Sequence, residues 1–192
     1  MNNFSLTLRR LGPNTAKDFA TLLVTPPHEW CWCVAWDTPD WKGWKDRTEK
    51  ENRCLRRALW DAGSYHGLIF YLEVRPVAWC RVGPRTAWPK LCATFDLEPV
   101  DSVYAFVCFG IAGSHRGQGL MHQAMALALR DLAAEGVVEV EGFPRKKSLT
   151  ERLDPGEVWM GPARLFASAG FEIADTRDTV LHMRRRMVNG RS

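Results

Sequence analysis

No run in this 192-residue sequence is long and apolar enough to cross a bilayer. The longest uncharged, mostly apolar stretch is Val103 to Gly113, well short of the roughly 20 residues that a spanning helix needs. The opening residues, Met1-Asn2-Asn3-Phe4-Ser5, lack the basic-then-apolar pattern of an export signal, so the chain reads as cytoplasmic. Repeats and low-complexity tracts are also missing. Two common phosphate-binding patterns are absent as well. No glycine-rich turn is followed by Lys-Ser or Lys-Thr, which excludes a P-loop, and no G-x-G-x-x-G follows the first strand, which leaves a dinucleotide fold unsupported.

The composition that is present is ordinary for a globular protein. Apolar residues make up 46% and charged residues 25%, which excludes collagen-like, disordered and small disulfide-scaffold classes. The length suits one domain, 1–192, with a real core. The net charge of +4 matches the four arginines Arg184, Arg185, Arg186 and Arg191. A basic end is weaker evidence for nucleic acid than a basic face, so no nucleic-acid partner is expected. Six cysteines in a chain without an export signal read as reduced thiols, several packed as small hydrophobes. His28, Cys31 and Cys33 cluster in sequence, with Cys54 or His66 as a further ligand. Cys-x-Cys is not the usual zinc spacing and no second knuckle appears, so no metal is expected.

Alternation predicts a strand over 4–10, and a helix follows from Ala16 to Leu23, ended by Pro26-Pro27. Five of the nine tryptophans then fall within fifteen positions: Trp30, Trp32, Trp36, Trp41 and Trp44. Their spacing fits neither a helix nor a long strand and predicts an aromatic-lined loop or broken helix. A helix is expected over 48–62 with Leu55, Ala58 and Leu59 inward. Strands are expected over 68–73 and 77–82, and a polar loop over 83–99. An apolar central strand over 102–111 leads through a glycine turn into a helix over 118–134, which Gly136 stops. A strand over 137–143, a charged loop, a short helix over 162–169 and two closing strands complete an α/β (α+β) mixed sheet.

The chemistry lies in Phe109-Gly110-Ile111-Ala112-Gly113-Ser114-His115-Arg116-Gly117-Gln118-Gly119-Leu120-Met121. An apolar strand runs into a glycine-rich turn that opens a helix. The first N–H groups of that helix lack intrahelical partners and carry the positive end of its dipole, which makes an anion site suited to a pyrophosphate. Arg116-x-x-Gly119-x-Met121 resembles the acyl-CoA-binding signature of the GNAT superfamily of N-acetyltransferases, Arg/Gln-x-x-Gly-x-Gly/Ala. Leu165-Phe166-Ala167-Ser168-Ala169-Gly170-Phe171 is similar to that superfamily's Leu-Tyr-x-x-x-Gly-Phe segment, and the order of elements matches over nearly the whole chain. The resemblance implies a central sheet of about seven strands flanked by about four helices, and acetyl-CoA as co-substrate. It further implies that main-chain groups of Phe109, Gly110 and Ile111 pair with the pantetheine, and that amides of Arg116, Gly117, Gln118, Gly119, Leu120 and Met121 hold the pyrophosphate. The acceptor amine would attack the thioester directly in a ternary complex. Two positions depart from the pattern. Met121 replaces the last Gly/Ala, and Phe166 stands where a tyrosine often protonates the leaving thiolate.

An amine that attacks a thioester must lose a proton, so a carboxylate is the natural base. Glu141, on one strand face with Glu139, is the leading candidate, with Glu73 and Asp101 as alternatives. Tyr104 and Cys108, expected on one face of the central strand with Phe106, are further candidates near the acetyl group. His115 precedes Arg116 and is read either as a phosphate contact or as a solvated turn residue. Trp32 and Trp36 would line the acceptor site, against core packing as the alternative role. The reading is therefore an acetyl-CoA-dependent N-acetyltransferase acting on a primary amine of a small molecule or peptide, with no membrane partner and a homodimer compatible with it. A non-catalytic acyl-CoA-binding sensor or interaction module of the same fold is the alternative.

Overall fold

The computed structural model describes residues 5–23, 29–154 and 156–187. Phe4, the Pro26-Pro27 helix stop, His28 and Arg191 lie outside the described residues. Seven strands form one sheet in the order β1-β2-β3-β4-β5-β7-β6. β1 (Leu6–Arg10), β2 (Leu68–Leu72), β3 (Arg75–Pro84) and β4 (Val103–Ile111) make an antiparallel half. β5 (Glu139–Gly142) lies parallel to β4, and β7 (Val180–Arg186) runs antiparallel to both β5 and the edge strand β6 (Glu172–Arg177). A parallel pair needs a long crossover, and here it carries α4 (Leu120–Ala134). The other helices among the described residues are α1 (Ala16–Leu23), α2 (Glu49–Asp61), α3 (Pro89–Phe95) and α5 (Ala163–Ser168).

The apolar stripe of α4, with Leu120, Ala124, Met125, Ala128 and Leu132, packs with α5 on the sheet face that carries Phe106, Phe109 and Val140. α1 and α2 cover the other face, where Phe19, Trp60, Tyr65 and Trp79 meet. A third cluster at one end of that face joins Trp36, Trp88, Leu91, Phe95, Val107 and Phe143.

Two expectations are corrected here. α2 begins at a capping box, with Thr48 Oγ1 accepting from the Glu51 N–H at 3.2 Å and Glu51 accepting from the Thr48 N–H at 2.6 Å. Its fully buried residues are Asn52, Arg56 and Trp60; Leu55 and Leu59 are half-buried and pack against the same cluster, and Ala58 is exposed. The surface it meets is aromatic, and the Arg56 guanidinium lies 4.4 Å from both the Trp32 and the Trp60 ring centres. An arginine stem with its cation–π contacts therefore shares the inward face with the two leucines, which Ala58 does not join. The polar loop expected over 83–99 contains α3, which starts at Pro89, a residue suited to the first helical position.

β4 carries the feature that shapes the site. Its pairing with β3 shifts between Arg81↔Cys108 and Val82↔Phe106, leaving Val107 as an extra residue. The side-chain alternation resets there. Tyr104, Phe106, Phe109 and Ile111 face α4 and α5, while Ala105, Val107 and Cys108 face the opposite side. Tyr104 and Cys108 therefore lie on opposite faces, contrary to the simple period-two reading. Pairing of β4 with β5 runs from Val103↔Glu139 to Phe106↔Gly142 and ends there. Three residues further on, the Phe109 N–H donates to the Trp159 carbonyl at 2.7 Å.

Candidate active site

Beyond Ile111 the chain makes a short turn over Gly113–His115 and reaches Gly119, which directly precedes α4. Gly117 and Gly119 have φ of +73° and +78°, the left-handed region that glycine enters without steric cost. A Cβ built at either position meets nothing within 4 Å, so this backbone is open to a close approach. Gln118 closes the turn by donating its amide to the Ser114 carbonyl at 2.8 Å. Arg116, Gly117 and Gln118 are exposed, whereas Leu120 is buried and anchors the helix start. Met121 packs beside the core cluster, so the departure from Gly/Ala is accommodated on the inner side of the helix. The turn thus combines the positive end of a helix dipole with open glycines, which fits a pyrophosphate, while the Arg116 N–H donates to the Gly113 carbonyl at 3.3 Å. A groove of about 1280 Å³ leads from Gly119 and His122 between α4 and α5, past Ala126 and Leu165, to Arg185.

Across the sheet, the tryptophan-rich segment meets β4 at its irregularity. Trp36 donates its indole N–H to the Val107 carbonyl at 3.2 Å and stacks on Trp159 with ring centres 5.7 Å apart. Trp36, Val107, Cys108, Trp159, Cys33 and Arg81 border a small cavity of about 10 Å³, room for one water at most. Trp32 lies elsewhere. Its indole donates to Glu49 at 2.9 Å, and Arg53 and Arg56 stack over its ring. The structure therefore brings Trp36 to β4 and Trp32 to α2, and both are buried.

The segment is held by Arg81, which is 1% exposed. Its guanidinium makes a two-pronged pair with Asp37 at 2.9 Å and 2.9 Å and donates to the carbonyls of Cys33 and His66, each at 2.5 Å. The Tyr65 ring lies 3.5 Å from it.

Glu141 is 0% exposed. Arg85 Nε and Nη2 donate to its two oxygens at 2.8 Å and 2.8 Å, and His182 Nε2 lies 2.9 Å from Oε2. Burial pushes this carboxyl up, but the hydrogen bonds from His182 and Arg85 outweigh it and hold the group below its ordinary value. Glu139 is half-buried, 3.6 Å from Arg184. Glu73 sits in the β2–β3 turn, and Asp101 is exposed beside Thr86. The Cys108 thiol is held well above its ordinary value by its hydrogen bond to Cys33 and by burial. Phe166 is fully buried, its ring filling the space above Gly142, where a Cβ would stand 2.2 Å from Cε1. Arg184, Arg185 and Arg186 end β7, and Arg184 faces Glu139. Sequence reasoning missed Trp159, Arg81 and Arg85. A lone tryptophan just after a charged loop was the only available signal, since buried arginines look like any others in sequence.

Among the described residues no helix is long and apolar enough to cross a membrane, and no group of three or more His, Cys, Asp or Glu is placed to hold a metal ion.

No protein-family model and no curated protein sequence matches the chain. Solved structures do. Aminoglycoside acetyltransferase AAC(6')-Ib in complex with coenzyme A and kanamycin is 16% identical, with a TM-score of 0.61 over 95% of this chain and 95% of that one. PaiA N-acetyltransferase from Thermoplasma acidophilum, in complex with coenzyme A, is 10% identical, with a TM-score of 0.57 over 95% and 99%. An acetyltransferase of the GNAT family from Streptococcus pneumoniae is 13% identical, with a TM-score of 0.55 over 96% and 100%. With its seven-stranded mixed sheet, its irregular β4 and its glycine turn into α4, the chain has the fold of the GNAT N-acetyltransferases.

Proposed function

We propose that the protein transfers an acetyl group from acetyl-CoA to a primary amine of a small molecule or peptide, by direct attack in a ternary complex. The observation that carries this reading is the open turn Gly113–Met121 at the head of α4, directly after a β4 whose pairing with β5 has ended. Amides of Gly117 to Met121 would hold the pyrophosphate, joined by that of Arg116 once it leaves the Gly113 carbonyl. Backbone groups of Phe109, Gly110 and Ile111 would receive the pantetheine as an added strand. The coenzyme A bound in similar solved structures supports the same co-substrate, and the kanamycin bound in one of them supports a small amine as acceptor.

The acetyl end would reach the irregularity of β4, near Val107, Cys108 and Trp36. For this the Trp159 carbonyl must yield the Phe109 N–H, which is the donor best placed to receive a developing oxyanion. Glu141 has both oxygens engaged by Arg85 and His182, so its proposed part is to position β5 against β7 and α3's leading turn. The amine's proton would pass to water. Trp36 would wall the acceptor side, and Trp32 would brace that wall through α2. Tyr104, on the α4 face, would lie along the cofactor side.

Acetyl-CoA should raise the melting temperature, and release of free thiol with a panel of amines should follow. A ligand at about 100 times its Kd adds roughly 2.7 kcal/mol to the native state. No shift at millimolar acetyl-CoA would remove the cofactor reading. A second reading, an acyl-CoA-binding sensor without turnover, is favoured by Phe166, which offers no proton to a leaving thiolate. A thermal shift without thiol release would select it.

A further inference from the structure

A further cavity, of about 380 Å³, opens on the α1/α2 side of the sheet beside the tryptophan segment. Its walls are apolar and stiff: Trp36, Leu59, Ala87 and the prolines Pro39, Pro84 and Pro89. Proline and alanine have no side-chain entropy to lose when a ligand is held. The volume lies at the small end of the roughly 300–1,000 Å³ typical of small-molecule sites. Trp36 and Asp37 border both this pocket and the small cavity at the β4 irregularity. The Trp36 indole is itself fixed to the Val107 carbonyl. The pocket therefore adjoins the stretch of β4 that the acetyl end would reach.

The polar groups of the pocket carry no spare charge. Asp37 borders it, and Arg81 already engages both of its oxygens at 2.9 Å and 2.9 Å. The Thr38 hydroxyl accepts from Lys90 at 2.7 Å and donates to the Ala35 carbonyl at 3.1 Å. The Thr86 hydroxyl donates to Asp101, which is exposed and does not border the pocket. His66 is different. It is half-buried, its ring stands edge-on to Trp88 with centres 6.4 Å apart, and its nitrogens make no hydrogen bond among the described residues. Burial, and after it the charge of Arg81, hold the imidazole below its ordinary value against the attraction of Asp37, so it is neutral near pH 7. It offers one donor and one acceptor to whatever fills the pocket. An ammonium or carboxylate buried without a partner is costly, so the lining suits a single, largely hydrocarbon body.

We propose that this pocket seats the acceptor, and that the acceptor is a compact monoamine with an apolar body rather than a polycationic amino sugar or a free amino acid. The inference rests on the acetyl-transfer reading above and narrows it. The acceptor would approach β4 from the α1/α2 side while coenzyme A approaches from the head of α4, so the two share one ternary complex without competing for space. Its amine would be directed along Trp36 toward Val107. The neutral nitrogen attacks the thioester carbon, the N–C bond forms and the C–S bond breaks. The coenzyme A sulfur leaves with the electron pair, and one amine proton passes through water to it. A second ammonium, or a carboxylate, on the same body would enter the pocket without a counter-ion, because Asp37 and Arg81 already satisfy each other.

The test compares matched amines by thiol release from acetyl-CoA on the full chain. The expected acceptors are 2-phenylethylamine and cyclohexylmethylamine. The comparators are phenylalanine, which adds a carboxylate to the first, and kanamycin and spermidine, which carry several ammonium groups. The expected kcat/KM is higher for the two monoamines by on the order of tenfold or more. Ser64→Trp fills the pocket from an exposed position, and should raise KM for 2-phenylethylamine by on the order of tenfold while the thermal shift with acetyl-CoA stays unchanged. Should that variant fail to fold, Ala87→Trp fills the pocket from another wall. A preference for kanamycin, spermidine or phenylalanine, or an unchanged KM in the filled variant, would overturn the inference and leave acetyl transfer standing. Absence of thiol release with every amine, or of any thermal shift with acetyl-CoA, would remove the transfer reading and this inference with it.

Discussion

The two regions that flank the C-terminal half of β4 are built on opposite principles. Gly113–Gly119 is largely exposed, with empty space where side chains would stand at its three glycines. Trp30–Trp44 has much of its side-chain surface buried, is partly left-handed, and is held by an arginine from β3 and a tyrosine that precedes β2. The first region needs only local conformation to present its N–H groups. The second has a shape only because distant residues impose one. Glycines within the same stretch of chain show the contrast. Gly119 is required by its φ of +78° and faces open space, whereas a Cβ at Gly110 would stand 1.7 Å from the Trp79 ring.

The contrast is broken most severely at Arg81. Arg81→Ala leaves Asp37 buried without its partner and releases the carbonyls of Cys33 and His66. Removing one member of a buried pair costs about 3–5 kcal/mol, so denaturant unfolding should show a loss of that size. Arg116→Ala, in the exposed turn, should change stability by less than about 0.5 kcal/mol. Equal losses would erase the distinction.

Gly110→Ala comes next. The added methyl enters the Trp79 ring, and overpacking of this kind costs about 1–3 kcal/mol or more. Chemical denaturation of this variant beside Gly119→Ala sharpens the comparison, because Gly119→Ala carries only a left-handed backbone cost of about 1–2 kcal/mol.

At the turn itself the expected effect is on ligand binding. Gly119→Glu places an anion at the helix start and should weaken coenzyme A by on the order of tenfold or more by calorimetry. Gly119→Asn tolerates the same backbone without the charge and should keep most of the affinity. Equal affinities in the two variants would move the anion site away from the turn.

The smallest effect is a slope. The Lys90 ammonium is buried, donating to the Ala35 carbonyl at 2.6 Å and Thr38 Oγ1 at 2.7 Å, with the Trp41 ring centre 3.5 Å away. Burial lowers it from 10.5 to about 8, against the attraction of Asp40 and Asp37. Between those values the unfolded chain binds the proton more readily than the native one, so this group makes stability rise with pH. Thermal melts across that window should show the rise weakened in Lys90→Met relative to wild type.

Much of the fold was legible because its elements obey one period each. The stripe on α4 and the apolar run of β4 needed no partner to be seen. α3 was hidden by its brevity and its opening proline. The faces of β4 were misread because one extra residue, Val107, resets the alternation, and no composition cue marks it. Glu141 was rightly placed on a strand with Glu139, but its engagement depends on Arg85, 56 positions earlier, and His182, 41 positions later. The left-handed backbone at Trp32 and Cys33 had no local signal, since it is Tyr65 and Arg81 that hold their carbonyls.

The sequence by itself therefore determined the order of the strands and of every helix but α3, the glycine turn and the site it offers to an anion, because glycine freedom, helix dipoles and hydrophobic periods act over a few neighbouring residues. Only the tertiary structure decided which tryptophan reaches β4 and which carboxylate is locked in an ion pair. Those outcomes depend on burial and on charges brought together across the sheet, where a lowered dielectric makes each partner's identity matter.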